Sequence, residues 1–389
     1  MHDLAAIGSF LEAHHTDLAV EVGGFASREI GSLPPQHGDA AARVQARQIL
    51  ELLGHGGWCR YGIPKAWGGR PTGPDLRACC LIREALAAAS PLADSVFALQ
   101  CLGSMPTVLA GDEAQKKKYL AAVAGGRLMT AFAMTEPDAG SDVASMSTRA
   151  VKDGSGYVLD GRKHLITNAG VADLYTVFAS TDPAAGSRGL TCFLVEAGQP
   201  GFSFVEAQVL SEPHPLGEIA FEGCRVSAQS RLGAEGEGFK IGMRTLDRLR
   251  STVAAAACGM AARALSEAVD HARNRRQFGV PLAEQQLVQQ KLARSATDLT
   301  AARLLTYRAA AEVDGGAERV TQEAAMAKLF ATEAAQRVVD DAVQVLGGRG
   351  VLRDHVVDRL YRSVRALRIY EGTSEVQHLV IARQVLASY

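Results

Sequence analysis

The sequence predicts an α+β protein, mainly helical, in which helices and strands occupy separate stretches of the chain. Apolar residues recur three and four apart through roughly the first 127 residues, the spacing of amphipathic helices. From about residue 128 the texture changes to short runs rich in Val, Tyr, Phe and Thr, and from about residue 237 the helical spacing returns over longer stretches. An order of helices, strands and helices fits segregated layers, whereas a doubly wound sheet would alternate the two throughout.

The first module, residues 1–127, reads as helices such as Ala42 to Leu53 and Leu76 to Ala88, separated by Pro/Gly clusters. The second, 128–236, reads as a small β-domain with strands at Gly156 to Leu159, Leu174 to Ala179, Thr191 to Val195 and Glu218 to Phe221. Asp160-Gly161, between YVL and RKHLIT, suits a tight hairpin turn because both residues tolerate positive φ. The third module, 237–389, reads as a helical bundle. There Met326, Leu329, Phe330, Ala334 and Val338 form one apolar stripe on a helix that the Gly347-Gly348 pair stops.

A chain of 389 residues has room for two or three modules and a large core. No window offers the roughly 20 uninterrupted apolar residues of a membrane helix, so no membrane insertion is expected. The net charge of −1 gives no basic field for nucleic acid, and Lys116, Lys117 and Lys118 read as a solvated helix end. Seven cysteines form no CxxC pair or metal-ligand cluster and read as reduced, mostly buried thiols. The opening MHDLAAIGSFLEAHH lacks the basic stretch and apolar run of a secretory leader, which makes the cytoplasm the expected address. No GxGxxG opens a helix after a strand, and GGRG at 347–350 is too short to be one.

Four segments combine glycine, hydroxyl and charged residues that a plain bundle does not need. In AFAMTEPDAGSD (131–142), Thr135 and Ser141 offer hydroxyls and Gly140 lets backbone approach a flat ligand; the same stretch also reads as two turns. In RKHLITNAG (162–170), Thr167 and Asn168 either face a ligand or close a strand. In RNRRQFG (273–279) the arginines also suit a helix C-terminus. The fourth segment is the tail, QVLGGRGV (344–351) followed by RIYEGTSEVQ (368–377). There Glu371, between Tyr370 and Gly372, is either a helix-surface acid or a carboxylate in a dry pocket, with a raised pKa suited to a general base.

Together, in this order, AMTEPDAGSD (133–142), QVLGGRGVLRDHVVDR (344–359) and IYEGTSEVQ (369–377) resemble the acyl-CoA dehydrogenase family over essentially the whole chain. The resemblance implies an N-terminal helical domain, a middle β-barrel-like domain and a C-terminal four-helix bundle, with FAD between the last two. It also implies FAD-dependent α,β-dehydrogenation of an acyl thioester to the 2-enoyl thioester. Glu371 would remove the α proton while the β hydrogen leaves as hydride to flavin N5. Among the implied cofactor contacts, Phe132, Met134, Thr135 and Ser141 wrap the flavin and thioester, and Leu165 and Thr167 meet the isoalloxazine. Arg275, Phe278, Gln344 and Gly348 complete a neighbouring subunit's cofactor site, and Thr373 and Glu375 add further contacts. Ser141, Arg250, Tyr370 and Gly372 are the implied substrate contacts, and no metal is implied. Leu249 stands where some members of the family carry the base; it cannot accept a proton, which leaves Glu371.

The chain departs from the family pattern at Leu165, where relatives usually present an aromatic ring, and at LSEPHPLGE (210–218), where Pro213, His214 and Pro215 replace a Met-Gly-x-Arg segment near the acyl and CoA entrance. Ser363 stands where the second motif normally ends on an acid. The expected substrate is an acyl-CoA or acyl-carrier-protein thioester, its acyl group left open among short, branched, alicyclic and aryl-substituted ones, and the expected acceptor is an electron-transfer flavoprotein. A homodimer or homotetramer is implied. The alternatives are an oxidase or monooxygenase of the same fold and a non-catalytic flavoprotein.

Overall fold

A computed structural model describes Leu4–Ser388; Met1–Asp3, the start of the stretch read above for a leader, and Tyr389 lie outside the described residues. The helices are α1 (Ala13–Phe25), α2 (Asp39–His55), α3 (Leu76–Ala89), α4 (Pro91–Ala110), α5 (Glu113–Ala124), α6 (Gly238–Asn274), α7 (Gln286–Asp314), α8 (Thr321–Leu346), α9 (Val356–Leu367) and α10 (Ser374–Ser388). The strands are β1 (Thr130–Ala133), β2 (Arg149–Asp153), β3 (Gly156–Thr167), β4 (Leu174–Ser180), β5 (Leu190–Glu196), β6 (Phe202–Ala207), β7 (Leu216–Ser227), β8 (Arg231–Leu232), β9 (Arg276–Gln277) and β10 (Val280–Pro281). Helices thus precede and follow one block of strands, with a small hairpin after α6.

The chain divides into two compact units. One comprises the chain up to Pro35, Leu76–Asp94 and Asp247 onward; the other comprises Gln36–Asp75 and Ser95–Leu246. In the helical unit, α6 carries an almost unbroken buried run from Val253 to Ala257, and a Cβ on Gly259 would run into the backbone carbonyl of Glu84 on α3. Small side chains let the helices approach closely, and large ones would hold them apart. The same holds on α8. Its buried residues include Ala324, Ala325, Ala327, Ala331, Ala334, Ala335 and Val338, while Met326, Leu329 and Phe330 of the expected stripe are only half-buried. Polar staples fix the register: Glu84 accepts from Arg303 and Tyr307, and Asp314 accepts from the N–H groups of Leu76 and Arg77.

The other unit is built on a sheet in the order β6-β7-β3-β2-β4-β5-β8, with β1 parallel to β4. Its core includes Met134, Phe178, Leu190, Cys192, Leu194 and Ile241. The expected hairpin at Asp160-Gly161 is not formed. Both residues lie inside β3, whose pairing with β7 shifts register between Leu159 and Gly161, and the β2–β3 turn falls at Gly154-Ser155 instead. The glycine is needed for a bulge rather than a turn: Gly161 has φ +145 and its Cβ would collide with Thr148. All seven cysteines are buried and free, as read. Helix α4 is long and apolar enough to cross a membrane, with a mean hydropathy of 1.3, but 83% of that window is buried within the protein as core.

Candidate active site

The short segment between α9 and α10 contains two successive left-handed residues, Glu371 at φ +53 and Gly372 at φ +95. Glycine takes this conformation freely, whereas glutamate does so at a cost of about 1 kcal/mol or more, and persists there only when its surroundings over-determine it. Here the carbonyls of the turn are held by side chains. Lys328 Nζ donates to the Gly372 carbonyl at 2.7 Å, Gln377 Nε2 to the same oxygen at 3.1 Å, and Arg250 Nε to the Glu371 carbonyl at 3.3 Å. Glu333 of α8 accepts from Arg368 Nε at 2.8 Å and Ser374 Oγ at 2.6 Å, one on each side of the turn. No hydrogen bond among the described residues uses the N–H of Glu371 or of Gly372.

Glu371 Oε2 is buried and, among the described residues, has no hydrogen-bond partner. Burial raises the carboxyl's pKa; Arg83, Arg250 and Lys328 pull it down, and Asp94 adds a smaller upward push. Arg83 is itself buried, forked onto Asp94 at 2.7 and 2.8 Å and donating to Thr252 Oγ1 at 2.8 Å. Burial in turn brings Lys328 down to about 8. The result is a dry carboxyl, ringed by cations that are tied to other partners, which can take a proton from a weak acid brought against it. Tyr370 beside it is half-exposed, and Leu249 is buried and has no acceptor.

Arg250 is more than a border residue. Its Nη1 reaches Asp247 Oδ1 at 2.6 Å, and Asp247 Oδ2 accepts from Thr321 Oγ1, so a chain of polar contacts runs from the start of α8 to the Glu371 carbonyl. Thr373 accepts from the Val376 N–H, and Glu375 stands exposed in the first turn of α10. Arg275, Phe278, Gln344 and Gly348 are all exposed. Phe278 and Gly279 form the two-residue turn of the β9–β10 hairpin with φ +53 and +83, which leaves the Phe278 ring 95% exposed. Burial and then Arg349, Arg275 and His355 lower the His271 pKa.

In the sheet unit, Phe132 packs its ring 5.0 Å from Phe178, and Met134 is buried. The Thr135 carbonyl accepts from the His164 N–H at 2.9 Å, which ties the 131–142 segment to β3, and Gly140 and Ser141 are exposed at its far end. Leu165, 51% exposed at φ +55, is held by Gln208 Oε1 on its N–H at 2.8 Å. Thr167 ends β3 opposite Leu216, and Asn168 follows at φ +65. His214 of the divergent 210–218 segment is pushed down to about 4 by burial, and the Pro215 carbonyl accepts from the Asn168 N–H.

The chain matches the acyl-CoA dehydrogenase family in its N-terminal domain over residues 12–127, its middle domain over 131–224 and its C-terminal domain over 236–386. It is an acyl-CoA dehydrogenase family member. It is 42% identical over 343 residues to the 3-(aryl)acrylate reductase of Clostridium sporogenes, covering 87% of this chain and 90% of that protein. It superimposes on butyryl-CoA dehydrogenase from Megasphaera elsdenii with a TM-score of 0.90 at 34% identity, over 97% of this chain and 99% of the other. A chain in a structure of the electron transferring flavoprotein of Acidaminococcus fermentans gives a TM-score of 0.91 at 36% identity, over 97% and 98%. The fold is the three-domain fold of acyl-CoA dehydrogenases, and the family is FAD-dependent. The protein is therefore an oxidoreductase that dehydrogenates acyl groups.

Lys328, Gln377, Arg83 and Asp94 carry no motif that marks them as functional in the sequence. Lys328 gave a signal in retrospect, a lone lysine among the alanines of a buried helix face. Arg83 and Asp94 gave none, since they are eleven residues apart and meet only through the tertiary fold.

Proposed function

We propose that the protein removes the α proton and β hydride of an acyl thioester, giving the 2-enoyl thioester, with Glu371 as the base. The observation that carries this reading is the unpartnered, buried Glu371 Oε2 on a turn whose N–H groups are unused. Those N–H groups suit the thioester carbonyl oxygen, whose negative charge grows as the α carbon loses its proton. Glu371 takes the α proton on its carboxylate and must be ionised to do so. Arg250 and Gly372 fix the backbone of the base, and Tyr370 and Ser141 complete the proposed acyl binding set.

The residues present fit FAD. Leu165 and Phe278 are large apolar side chains left exposed on left-handed backbone, and Gly140 and Gly348 have no protein atom within 4 Å of where a Cβ would stand. Arg275 and Arg349, exposed guanidiniums whose charges both act on His271, suit a diphosphate. Phe132, Met134, Thr135, Ser141, Leu165 and Thr167 would hold the flavin end, with Thr373 and Glu375. Arg275, Phe278, Gln344 and Gly348 would serve the other end in a partner copy. When bound, FAD supplies the acceptor for the β hydrogen. The half-buried apolar face of Met326, Leu329 and Phe330 supports a homodimer or homotetramer. We assign the protein to the cytoplasm, with an electron-transferring flavoprotein as the electron acceptor. The relationship to an aryl acrylate reductase supports an aryl-substituted acyl group, on CoA or a carrier protein, as the first to test.

The experiment is anaerobic bleaching of the bound flavin by 3-phenylpropionyl-CoA, cyclohexanecarbonyl-CoA, butyryl-CoA and carrier-linked acyl thioesters. Rapid bleaching by one class names the substrate. Absence of bleaching by every thioester, with FAD present, turns the reading toward oxidation by O2 or a silent flavoprotein.

A further inference from the structure

Both acceptors of the left-handed turn are tied to side chains, and both of its donors are free. The Glu371 carbonyl receives Arg250 and, at 3.4 Å, Gln377; the Gly372 carbonyl receives Lys328 and Gln377. Lys328 and Gln377 are fully buried, and among the described residues neither donates its side-chain nitrogen to any group outside this turn. A buried lysine is costly to desolvate, and this one is spent on a backbone oxygen although acids lie near it. The cost is understandable if the orientation of that peptide matters.

We propose that Lys328 and Gln377 are positioning residues for Glu371: by pinning the 371–372 carbonyls they hold the turn left-handed, with its N–H groups open toward the thioester oxygen. Gln377 on α10 holds both the 371–372 and the 372–373 peptides and Lys328 on α8 holds the second, so neither plane, the first of which carries the Gly372 N–H, can rotate without breaking a contact. Glu333 reinforces the frame by holding Arg368 and Ser374 on its two sides. Gly372 is part of the device, because a Cβ there would strike Gln377 Nε2. A displacement of the carbonyl site by about 1 Å is enough to cost on the order of 100-fold in rate. This inference rests on Glu371 being the base.

Lys328→Met, Gln377→Leu and Glu371→Gln are compared with the wild-type holoenzyme by two measurements. One is hydrogen–deuterium exchange of peptides spanning 368–376, where the Tyr370 and Ser374 amides bond to the carbonyls of Ala366 and Arg368. The other is steady-state and anaerobic flavin reduction with 3-phenylpropionyl-CoA, cyclohexanecarbonyl-CoA and butyryl-CoA. In Lys328→Met and Gln377→Leu the amide exchange is expected to rise about tenfold and kcat to fall about 10- to 100-fold, with KM changed by less than about threefold. Glu371→Gln is expected to lose reduction while its amides exchange at the wild-type rate. Wild-type exchange and kcat in both clamp variants overturn the proposal, as does a loss expressed only in KM. If Lys328→Met does not fold, Gln377→Leu decides, since it removes a donor without changing charge. Reduction at the wild-type rate by Glu371→Gln, or none by wild type, defeats the base assignment instead, and the exchange data then still decide whether the clamp exists.

Discussion

Lys163 Nζ lies 2.8 Å from Glu136 Oε1, and neither side chain reaches solvent. Lys163 also donates to the Met134 carbonyl, while Glu136 accepts from the Ser147 N–H and hydroxyl and the Thr148 N–H. One ion pair therefore fastens β3, which carries Leu165 and Thr167, to the 131–142 segment. Lys163→Met strands a buried carboxylate and is expected to cost about 3–5 kcal/mol, read as a lower denaturant midpoint with an unchanged slope. A smaller loss in the double variant Lys163→Met/Glu136→Leu checks that the stranded charge is the cause.

The same pair shapes acid stability. Lys163 and the hydrogen bonds from Thr148 and Ser147 bring Glu136 down to about 2 against the opposing effect of burial. A depressed carboxylate contributes stability that is complete above its unfolded value near 4.5 and is lost as pH falls toward 2. The stability gap between wild type and Glu136→Gln is therefore expected to narrow as pH falls from 4.5 toward 2, measured by urea unfolding across that range.

Glu371 has the opposite sign. Burial raises its carboxyl, so the folded chain binds the proton more tightly than the unfolded one, and stability declines as pH rises above 4.5 through the raised value. Glu371→Gln is thus expected to be more stable than wild type at pH 7–8 and no more stable below pH 4.5, by thermal melting. Activity runs the other way, since the ionised base is the active form, so kcat/KM of wild type rises with pH on its acid limb.

Gly161→Val places a side chain against Thr148 at a bulge with φ +145. A loss of about 1–3 kcal/mol is expected, read in the melting temperature, with the fold retained. A tight turn at this position would instead have tolerated an asparagine, and Gly161→Asn tests the distinction by destabilising as well.

Phe278 makes no demand on its own chain, standing 95% exposed at φ +53. Phe278→Gly is expected to leave the melting temperature of FAD-free protein unchanged or slightly raised, because the left-handed strain is relieved. FAD content after gel filtration is expected to drop if the ring serves a partner's cofactor site. Full FAD retention would remove that role.

The layout of helices and strands was legible because burial imposes period and length locally: the expected ranges near Ala42, Leu76, Leu174 and Thr191 fall within α2, α3, β4 and β5. Asp160-Gly161 misled because a glycine with positive φ serves a bulge as well as a turn, and only the partner strand β7 distinguishes them. On α8 the large residues marked a stripe, but tight packing put the alanines deepest. Glu371 stood out through its neighbours Tyr370 and Gly372. The residues that hold it did not, since Arg83, Arg250, Lys328 and Gln377 come from four separate helices and are ordinary on each.

The most direct test of Glu371 as the base is stopped-flow reduction of the enzyme-bound FAD in Glu371→Gln, under anaerobic conditions, with the thioester that reduces wild type fastest. The expected result is full FAD content, thioester binding within a few-fold of wild type, and reduction slowed by about 100- to 10,000-fold, the usual contribution of a positioned base. Reduction by Glu371→Gln at a rate close to wild type would contradict the assignment.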